Sequence, residues 1–449
     1  MKASKNKVER EEVHIGIDDL DSPNGMCTTY LGSIITSWLG SKTWVSFIDY
    51  PYLIRLNPNI PFKTRGNGAV SLHITINTNK VGKLIEYLKH VISEYADLSH
   101  PKADPVIVVV KGPIEDNLKV IYERAVREFV PYSYVRRLVN NREISIIKVR
   151  KGRGLVGAVS SIGAFKLRSF TYELLLYRGL EDKGKHRTIS KEEIIKIDRK
   201  YRPKLFANVD YEKKRILATP HGPDPVIAGF RSLSPLILSN LLIYFRKRMK
   251  FERALVYKTN QGTGVHLNFY KKISDVRPYD SVKVKGYVAD NPKVIKGGHV
   301  LFYVNDETGY LRCMVYKPTG RLAKAAKLLK RGDIVEIGGG VIPSGKYGIS
   351  INVELIKVVK VEPLVRVKNP ICPNCNARME SAGKNKGFKC RKCGYTSIKL
   401  NKEVVMLPRI LEPGIYIPSP IAYRHLSKPL ETLGAKGEEV GLVSPWHIP

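Results

Sequence analysis

The sequence predicts a multidomain α+β protein, on three observations. A strand, an acidic loop and a helix follow one another near the start; five β-rich runs and one short helix fill residues 275–365; and four cysteines cluster after them. At ~100–200 residues per domain, 449 residues make about two to four domains with cores of their own. A hydrophobic content of 43% and a mean hydropathy of −0.19 exclude disorder through low hydrophobicity. With 76 Lys+Arg against 41 Asp+Glu the formal charge is +35, which selects polyanion partners, nucleic acid before a membrane surface. A span needs roughly 20 apolar residues. The longest candidate, Leu236–Phe245, carries Ser239 and Asn240 and runs into three consecutive cations. Met1–Glu12 holds no apolar leader segment, so no membrane partner and a cytoplasmic location are expected.

The elements follow in order. Residues 1–140 read as an α/β domain. Val13–Ile17 is a strand, Leu31, Ile34, Ile35, Trp38 and Leu39 recur at helical spacing, Ala69–Ile76 and Val106–Val110 are strands, and Lys83–Tyr95 is a helix between them. Residues 141–268 offer strands at Ile144–Val149, Tyr172–Tyr177, Leu205–Val209, Val226–Phe230 and Ala254–Lys258. Helices at Lys191–Lys200 and Pro235–Lys250 alternate with them, an α+β sandwich of ferredoxin-like type. Within 275–365 the runs Val282–Val288, Val300–Val304, Leu311–Val315, Ile334–Ile337 and Ile349–Val359, with a helix at Leu322–Leu329 after the third, give the order of an OB-fold β-barrel. Residues 366–449 hold the cysteine pairs and a proline-punctuated tail from Leu407, with fourteen Lys/Arg against six acids.

Charge separates two tasks. Residues 1–60 carry six Lys/Arg and seven Asp/Glu, so the positive excess lies downstream and the carboxylates gather at the start. Asp18, Asp19 and Asp21 leave the C-terminal end of the first strand, where open α/β sheets bind ligands. In an extended backbone Asp19 and Asp21 face one way and Asp18 the other, and a small turn brings two or three carboxylates together. Such a set suits Mg²⁺, which needs only one or two carboxylates plus phosphate oxygens. The alternative is a solvated turn of helix caps. Thr28 and Thr29 stand where the periodic helix begins, as N-caps or as metal or phosphoryl acceptors. Lys63, Arg65, Gly66, Asn67 and Gly68 join cations to glycines that let backbone approach a phosphate, or form a tight turn; the glycine-rich 151–157 stretch is equally ambiguous. No Walker A sequence occurs.

Cys372, Cys375, Cys390 and Cys393 form two Cys-x-x-Cys pairs 14 residues apart, the spacing of a closed, structural Zn²⁺ site. Cys27 and Cys313 read as ordinary buried thiols. In the OB region Tyr287, Phe302, Tyr303, Tyr310 and Tyr316 lie among lysines and are candidates to stack unpaired RNA bases, some of them being core.

The segments at 16–22 (GIDDLDS), 25–32 (GMCTTYLG), 54–58 (IRLNP) and 63–69 (KTRGNGA) resemble the archaeal tRNA 2-agmatinylcytidine synthetases, also called isoleucine-tRNA agmatidine synthetases. So do RGLVG at 153–157, TYEL at 171–174, NVD at 208–210, HGPDPV at 221–226 and TNQGT at 259–263. The resemblance implies a kinase-like catalytic domain, a ferredoxin-like domain, an OB-fold and a zinc ribbon. It implies a ligase that joins agmatine to C2 of the wobble cytidine in the CAU anticodon of isoleucine tRNA, so that AUA is read as isoleucine, while ATP goes to AMP. It places Thr28 at an autophosphorylated threonine and Asp18, Asp19 and Asp21 at metal and nucleotide carboxylates. Leu20 departs from the family's usual Thr, and Gly264 from its usual Asp. A C2 oxygen leaves poorly, so phosphorylating it lets a primary amine displace phosphate, with Lys63 and Arg65 as candidates to stabilise charge. Asp210 and Asp224 are candidate partners for agmatine's guanidinium, or turn residues. The rival class is a non-catalytic RNA-binding protein built on the OB and zinc modules, for which an acidic cluster has no use.

Overall fold

The computed structural model describes residues 9–449 except 102, 141–142, 188 and 346–347, and describes only the backbone of residue 65. Strand β1 (Arg10–Asp18) is followed by α1 (Thr28–Gly40), β2 (Val45–Phe47), β3 (Tyr52–Arg55), β4 (Gly68–Asn77), α2 (Val81–Tyr95), β5 (Val106–Lys111), α3 (Asp116–Arg127), α4 (Tyr132–Leu138), β6 (Ile144–Lys148) and α5 (Leu155–Gly163). Antiparallel β4 and β5 flank β1, which is therefore central. Its period of two sends Val13, Ile15 and Ile17 into a core with α1 and α2. On the opposite face α5 lies so close that a β-carbon on Gly16 would fall inside the Ala158 carbonyl. Helices α3, α4 and α5 share that second core with Val106, Val108 and Val110.

Next come β7 (Thr171–Tyr177), α6 (Lys191–Tyr201), the hairpin β8 (Val209–Asp210) and β9 (Arg215–Ile216), β10 (Val226–Ser232), α7 (Pro235–Arg246) and β11 (Arg253–Thr259). Ser190 caps α6 by accepting the Glu193 N–H, and Pro235 opens α7. β10, β7 and β11 pair antiparallel, while β11 runs parallel to β3 with Lys258 opposite Tyr52. That pairing joins the first two regions into a single ten-stranded sheet. Two expectations differ here. Ile144–Val149, assigned to the second region, supplies β6, which pairs with β5 of the first. Leu205–Val209 is not one strand, because Ala207 takes φ 52° and leaves only an isolated bridge at Leu205 and the start of β8.

The strands β12 (Ser281–Val288), β13 (Lys293–Ile295), β14 (His299–Asn305) and β15 (Tyr310–Val315), helix α8 (Arg321–Leu328), β16 (Ile334–Pro343) and β17 (Ile349–Lys360) form the OB-fold. β12, β16, β17, β15 and β14 pair in that order, and β14 closes back on β12, making a five-stranded barrel. Beyond it, β18 (Leu364–Lys368) pairs with β22 (Glu403–Leu407), bracketing β19 (Glu380–Ser381), β20 (Phe388–Lys389) and β21 (Thr396–Ser397) of the ribbon. The tail does not stay with the ribbon. β23 (Gly414–Tyr416) adds to β17, Trp446 packs on Phe47 and Tyr50, and β24 (His447–Ile448) pairs with β11.

Candidate active site

The acidic loop is arranged differently from an extended strand. Asp19 takes φ 67°, and this left-handed residue breaks the alternation. Asp18 and Asp19 consequently line one cleft, and Asp21 lines a neighbouring one. The Asp18 carboxylate rests on the first turn of α5, where a β-carbon on Gly157 would fall inside it. Burial, then the charges of Asp19 and Asp21, raise its pKa well above the usual carboxylate value. Asp19 is pushed up to about 6 by burial, against the opposing pull of Arg153, whose Nη2 lies 2.9 Å from Oδ2. Asp104 accepts the Gly152 and Arg153 N–H groups at 2.8 and 2.9 Å, holding that arginine loop in place. Among the described residues, the group of three or more metal-type ligands brought together is the four cysteines, so the three aspartates do not converge on a single point.

The 63–68 loop is the partition. Lys63, Thr64 and Asn67 face the first cleft, of about 840 Å³ including its open mouth. Gly66 and Gly68 face the second, of about 940 Å³. The Arg65 side chain lies outside the described residues. Lys63 Nζ donates to the Ile60 carbonyl at 3.1 Å, and burial and Arg424 lower its pKa. Gly66 takes φ 67°, and its carbonyl accepts from Arg55 Nη1. The rest of the first cleft is lined by the apolar Leu56, Ile60, Phe62, Phe129 and Val156 together with Glu128, Tyr132 and Arg153.

Thr28 begins α1 and is 2% exposed. Its N–H donates to Asp21 Oδ1 at 2.9 Å, and its Oγ1 accepts the Leu20 N–H at 3.3 Å. Leu20, where the resembled family has Thr, sends its side chain into the α1–α2 core. Around Thr28 the second cleft gathers Arg55, Glu173, Asp224, Arg231 and His425. Glu173 accepts from Arg231 Nε at 3.3 Å and from Gln261, and Gln261 Oε1 accepts from Arg55 Nε at 3.2 Å. Asp224 accepts the Val226 N–H and lies 3.5 Å from Arg187. Asp210, by contrast, is fully buried and turned away from this cleft, its oxygens accepting the N–H groups of Glu212, Lys213 and Ile421.

The four cysteine sulfurs lie within 4.8 Å of one another, with Cys372–Cys393 at 3.5 Å and Cys375–Cys390 at 3.4 Å. A zinc tetrahedron with bonds of about 2.3 Å has edges of about 3.8 Å, so the thiols fit that ion. In the barrel Tyr287, Tyr310 and Tyr316 are 42%, 68% and 40% exposed and Tyr303 is half-buried. Phe302 corrects the sequence reading. It is 1% exposed and packs in the barrel core with Val300 and Val304, because alternate residues of β14 point inward.

Arg153, Arg55, Glu173, Arg231 and His425 went unassigned in the sequence reading. Arg153 and Arg55 do sit in the glycine-rich stretch and the Arg-Leu-Asn-Pro segment already singled out. His425 carries no local signal, since it reaches the cleft from the far end of the chain.

Known proteins share this arrangement. Residues 14–151 match the family described as the TiaS TCKD domain, 152–266 the TiaS FLD domain, 282–359 an OB-fold nucleic acid binding domain, and 369–411 the TiaS C-terminal zinc ribbon domain. The chain is 47% identical to an isoleucine-tRNA 2-agmatinylcytidine synthetase, TiaS, of Thermofilum pendens, over 94% of this chain and 96% of that one. It is 40% identical to its counterpart in Pyrococcus horikoshii, over 93% and 96%. Among solved structures, a complex of TiaS with isoleucine tRNA and ATP matches with a TM-score of 0.82 at 34% identity, covering 96% of this chain and all 100% of that one. A complex of TiaS with isoleucine tRNA, AMPCPP and agmatine matches with a TM-score of 0.80 at 32% identity, over 96% and 100%.

Proposed function

Because this chain belongs to the isoleucine-tRNA 2-agmatinylcytidine synthetase family, we propose that its two clefts divide the labour of one ATP-dependent reaction, the attachment of agmatine to the wobble cytidine of isoleucine tRNA. The observation that carries the division is the shared wall. The 18–21 and 63–68 loops each give residues to both clefts, so a phosphate in one lies next to Thr28 in the other.

In the first cleft the apolar wall takes the purine, and Lys63, Arg153 and the start of α5 at Val156 and Gly157 face the phosphates. Two carboxylates whose pKa values are pushed up by burial and by neighbouring carboxylates, Asp19 and Asp21 at Asp18 and Asp104 at Asp19, suit a hard cation, so Asp18, with Asp19 beside it, would hold Mg²⁺ together with phosphate oxygens. When bound, that ion neutralises charge on the phosphates. In the second cleft Thr28 Oγ1, oriented by the Leu20 N–H, is the phosphoryl acceptor, and Arg55 and Arg231 stabilise the charge that develops. The cytosine leaves the anticodon stack to enter this cleft. In going to AMP, ATP gives up two phosphoryl groups, matching two acceptors: Thr28 Oγ1, which loses its proton as the new P–O bond forms and the phosphoanhydride bond breaks, and the cytosine C2 oxygen; the amine lone pair then adds at C2, the C2–O bond breaks, phosphate departs with the electron pair, and the nitrogen loses its proton. Of the two aspartates considered for the guanidinium, Asp224 lines this cleft and takes the role; Asp210 is committed to backbone N–H groups.

The barrel and ribbon hold the tRNA. Tyr287, Asn305 and Tyr310 share one row across β12, β14 and β15, and Tyr303 lies on the same face, opposite Arg312. These tyrosines, with Tyr316, are the proposed stacking surface. We also read the first two units as kinase-like and ferredoxin-like, and the location as cytoplasmic, where thiolates serve zinc in place of disulfides; among the described residues no helix is long and apolar enough to cross a membrane. A purely RNA-binding role leaves the first cleft without a purpose. The test is mass spectrometry of tRNA nucleosides after incubation with ATP, Mg²⁺ and agmatine. The wild type forms agmatidine and AMP, and Asp18→Ala forms neither while keeping its affinity for tRNA. Product from Asp18→Ala, or none from the wild type, would refute the reading.

A further inference from the structure

The strand of chain beyond the zinc ribbon crosses the second cleft. Three consecutive residues tie it to three parts of the molecule. Arg424 Nη1 donates to Asn59 Oδ1 of the first region at 2.8 Å and lies 3.3 Å from Glu354 of the barrel. The His425 and Leu426 carbonyls accept the Gly262 and Gly264 N–H groups of the second region at 2.9 and 2.8 Å. Gly264 takes φ +71°, and a β-carbon there would stand 3.3 Å from Lys428, so glycine rather than aspartate suits the passage of this segment.

The His425 side chain enters the cleft that holds Asp21, Thr28, Arg55 and Arg231. Its Nδ1 lies 2.8 Å from Arg231 Nη2. A guanidinium only donates, so Nδ1 is the acceptor, and a neutral imidazole that accepts at Nδ1 carries its proton on Nε2. Burial, with the positive charges of Arg55 and Arg231, holds the pKa of this ring well below the ordinary imidazole value, so it stays uncharged at neutral pH. Nε2 stands 3.5 Å from where a β-carbon on Gly66 of the partition loop would be, beside Arg55 Nη1, which lies 2.6 Å from the same point.

We propose that His425 is a catalytic residue whose Nε2–H, beside the Arg55 guanidinium at Gly66, donates a hydrogen bond to an oxygen of the phosphoryl group handled in the Thr28 cleft. The inference rests on reading that cleft as the phosphoryl-transfer site. A neutral donor set between two guanidiniums adds a directed bond where charge develops without adding a third full charge to retain the product. It also makes the C-terminal segment part of the active site.

The test compares His425→Phe, which keeps the bulk of the ring and removes both nitrogens, with His425→Gln, whose amide accepts and donates, in the full-length chain. In agmatidine-forming assays Phe lowers kcat about 100-fold and Gln recovers it to within about tenfold of wild type, with KM for tRNA unchanged in both. A kcat for Phe within about threefold of wild type, or a loss that Gln does not recover, overturns the proposal and leaves His425 a structural latch. If the wild type forms no agmatidine, the reading of the cleft fails first; an active wild type with unaffected variants sinks only the role of His425.

Discussion

Asp18 owes its position to an atom that Gly157 lacks, since any β-carbon there would occupy the carboxylate's place. Gly157→Ala is therefore expected to leave the fold standing and to cut kcat about 100-fold by displacing the carboxylate, as measured in the agmatidine assay. A second residue-scale prediction concerns His14 and His73, whose Nδ1 atoms meet at 2.9 Å in the buried face under α5. Burial lowers the His14 pKa to about 4 and that of His73 well below 6.5. Each folded-state value is depressed, so the unfolded chain binds the proton first as pH falls, and stability is lost from about pH 6.5 downward at up to about 1.4 kcal/mol per pH unit for each ring. Asp18 and Asp19, with raised values, act in the opposite sense over the same window. The measurement is the unfolding free energy of wild type relative to His14→Gln between pH 7.5 and 5. The difference is expected to move against the wild type on acidification, and a flat difference contradicts the account. At this scale the sequence announced the carboxylate cluster but not its facing, because a single left-handed residue, Asp19, turned Asp18 and Asp19 to one side and Asp21 to the other.

Element-scale consequences are clearest in the barrel. β14 alternates Val300, Phe302 and Val304 inward with Leu301 and Tyr303 outward. Adjacent residues of a strand cannot both stack on RNA, so the pairing of Phe302 with Tyr303 as a binding surface was excluded by the sequence's own period. Phe302→Ala is expected to destabilise the protein by about 3–5 kcal/mol in chemical denaturation. Tyr287→Ala is expected to leave stability alone and weaken tRNA binding by about 1–3 kcal/mol, read from a binding isotherm. Equal effects of the two on stability would contradict the assignment of faces. The OB order, the cysteine spacing and most long periodic elements were legible, because each is set by local pattern. Helix α5 was not, since its small residues Gly157, Ala158, Ser160 and Ser161 have no broad apolar stripe and pack through closeness to β1 instead.

On the scale of the whole molecule, the joins were hidden. The β3–β11 pairing and the return of β24 to β11 link residues about two hundred positions apart, and neither the periodicity of Tyr52–Arg55 nor the two-residue strand at His447 foretells a partner. Those joins bring Arg231 of the second region and a histidine of the tail to the threonine of the first. The proposed division puts nucleotide on the Asp18 side of the partition and the acceptor on the Thr28 side. Equilibrium binding of ATP with Mg²⁺ to wild type, Asp18→Asn and Thr28→Val separates that placement from its reverse. Asp18→Asn is expected to lose ATP, Thr28→Val to bind it as the wild type does, and neither to form agmatidine. Intact ATP binding by Asp18→Asn together with its loss in Thr28→Val would place the nucleotide in the other cleft and contradict it.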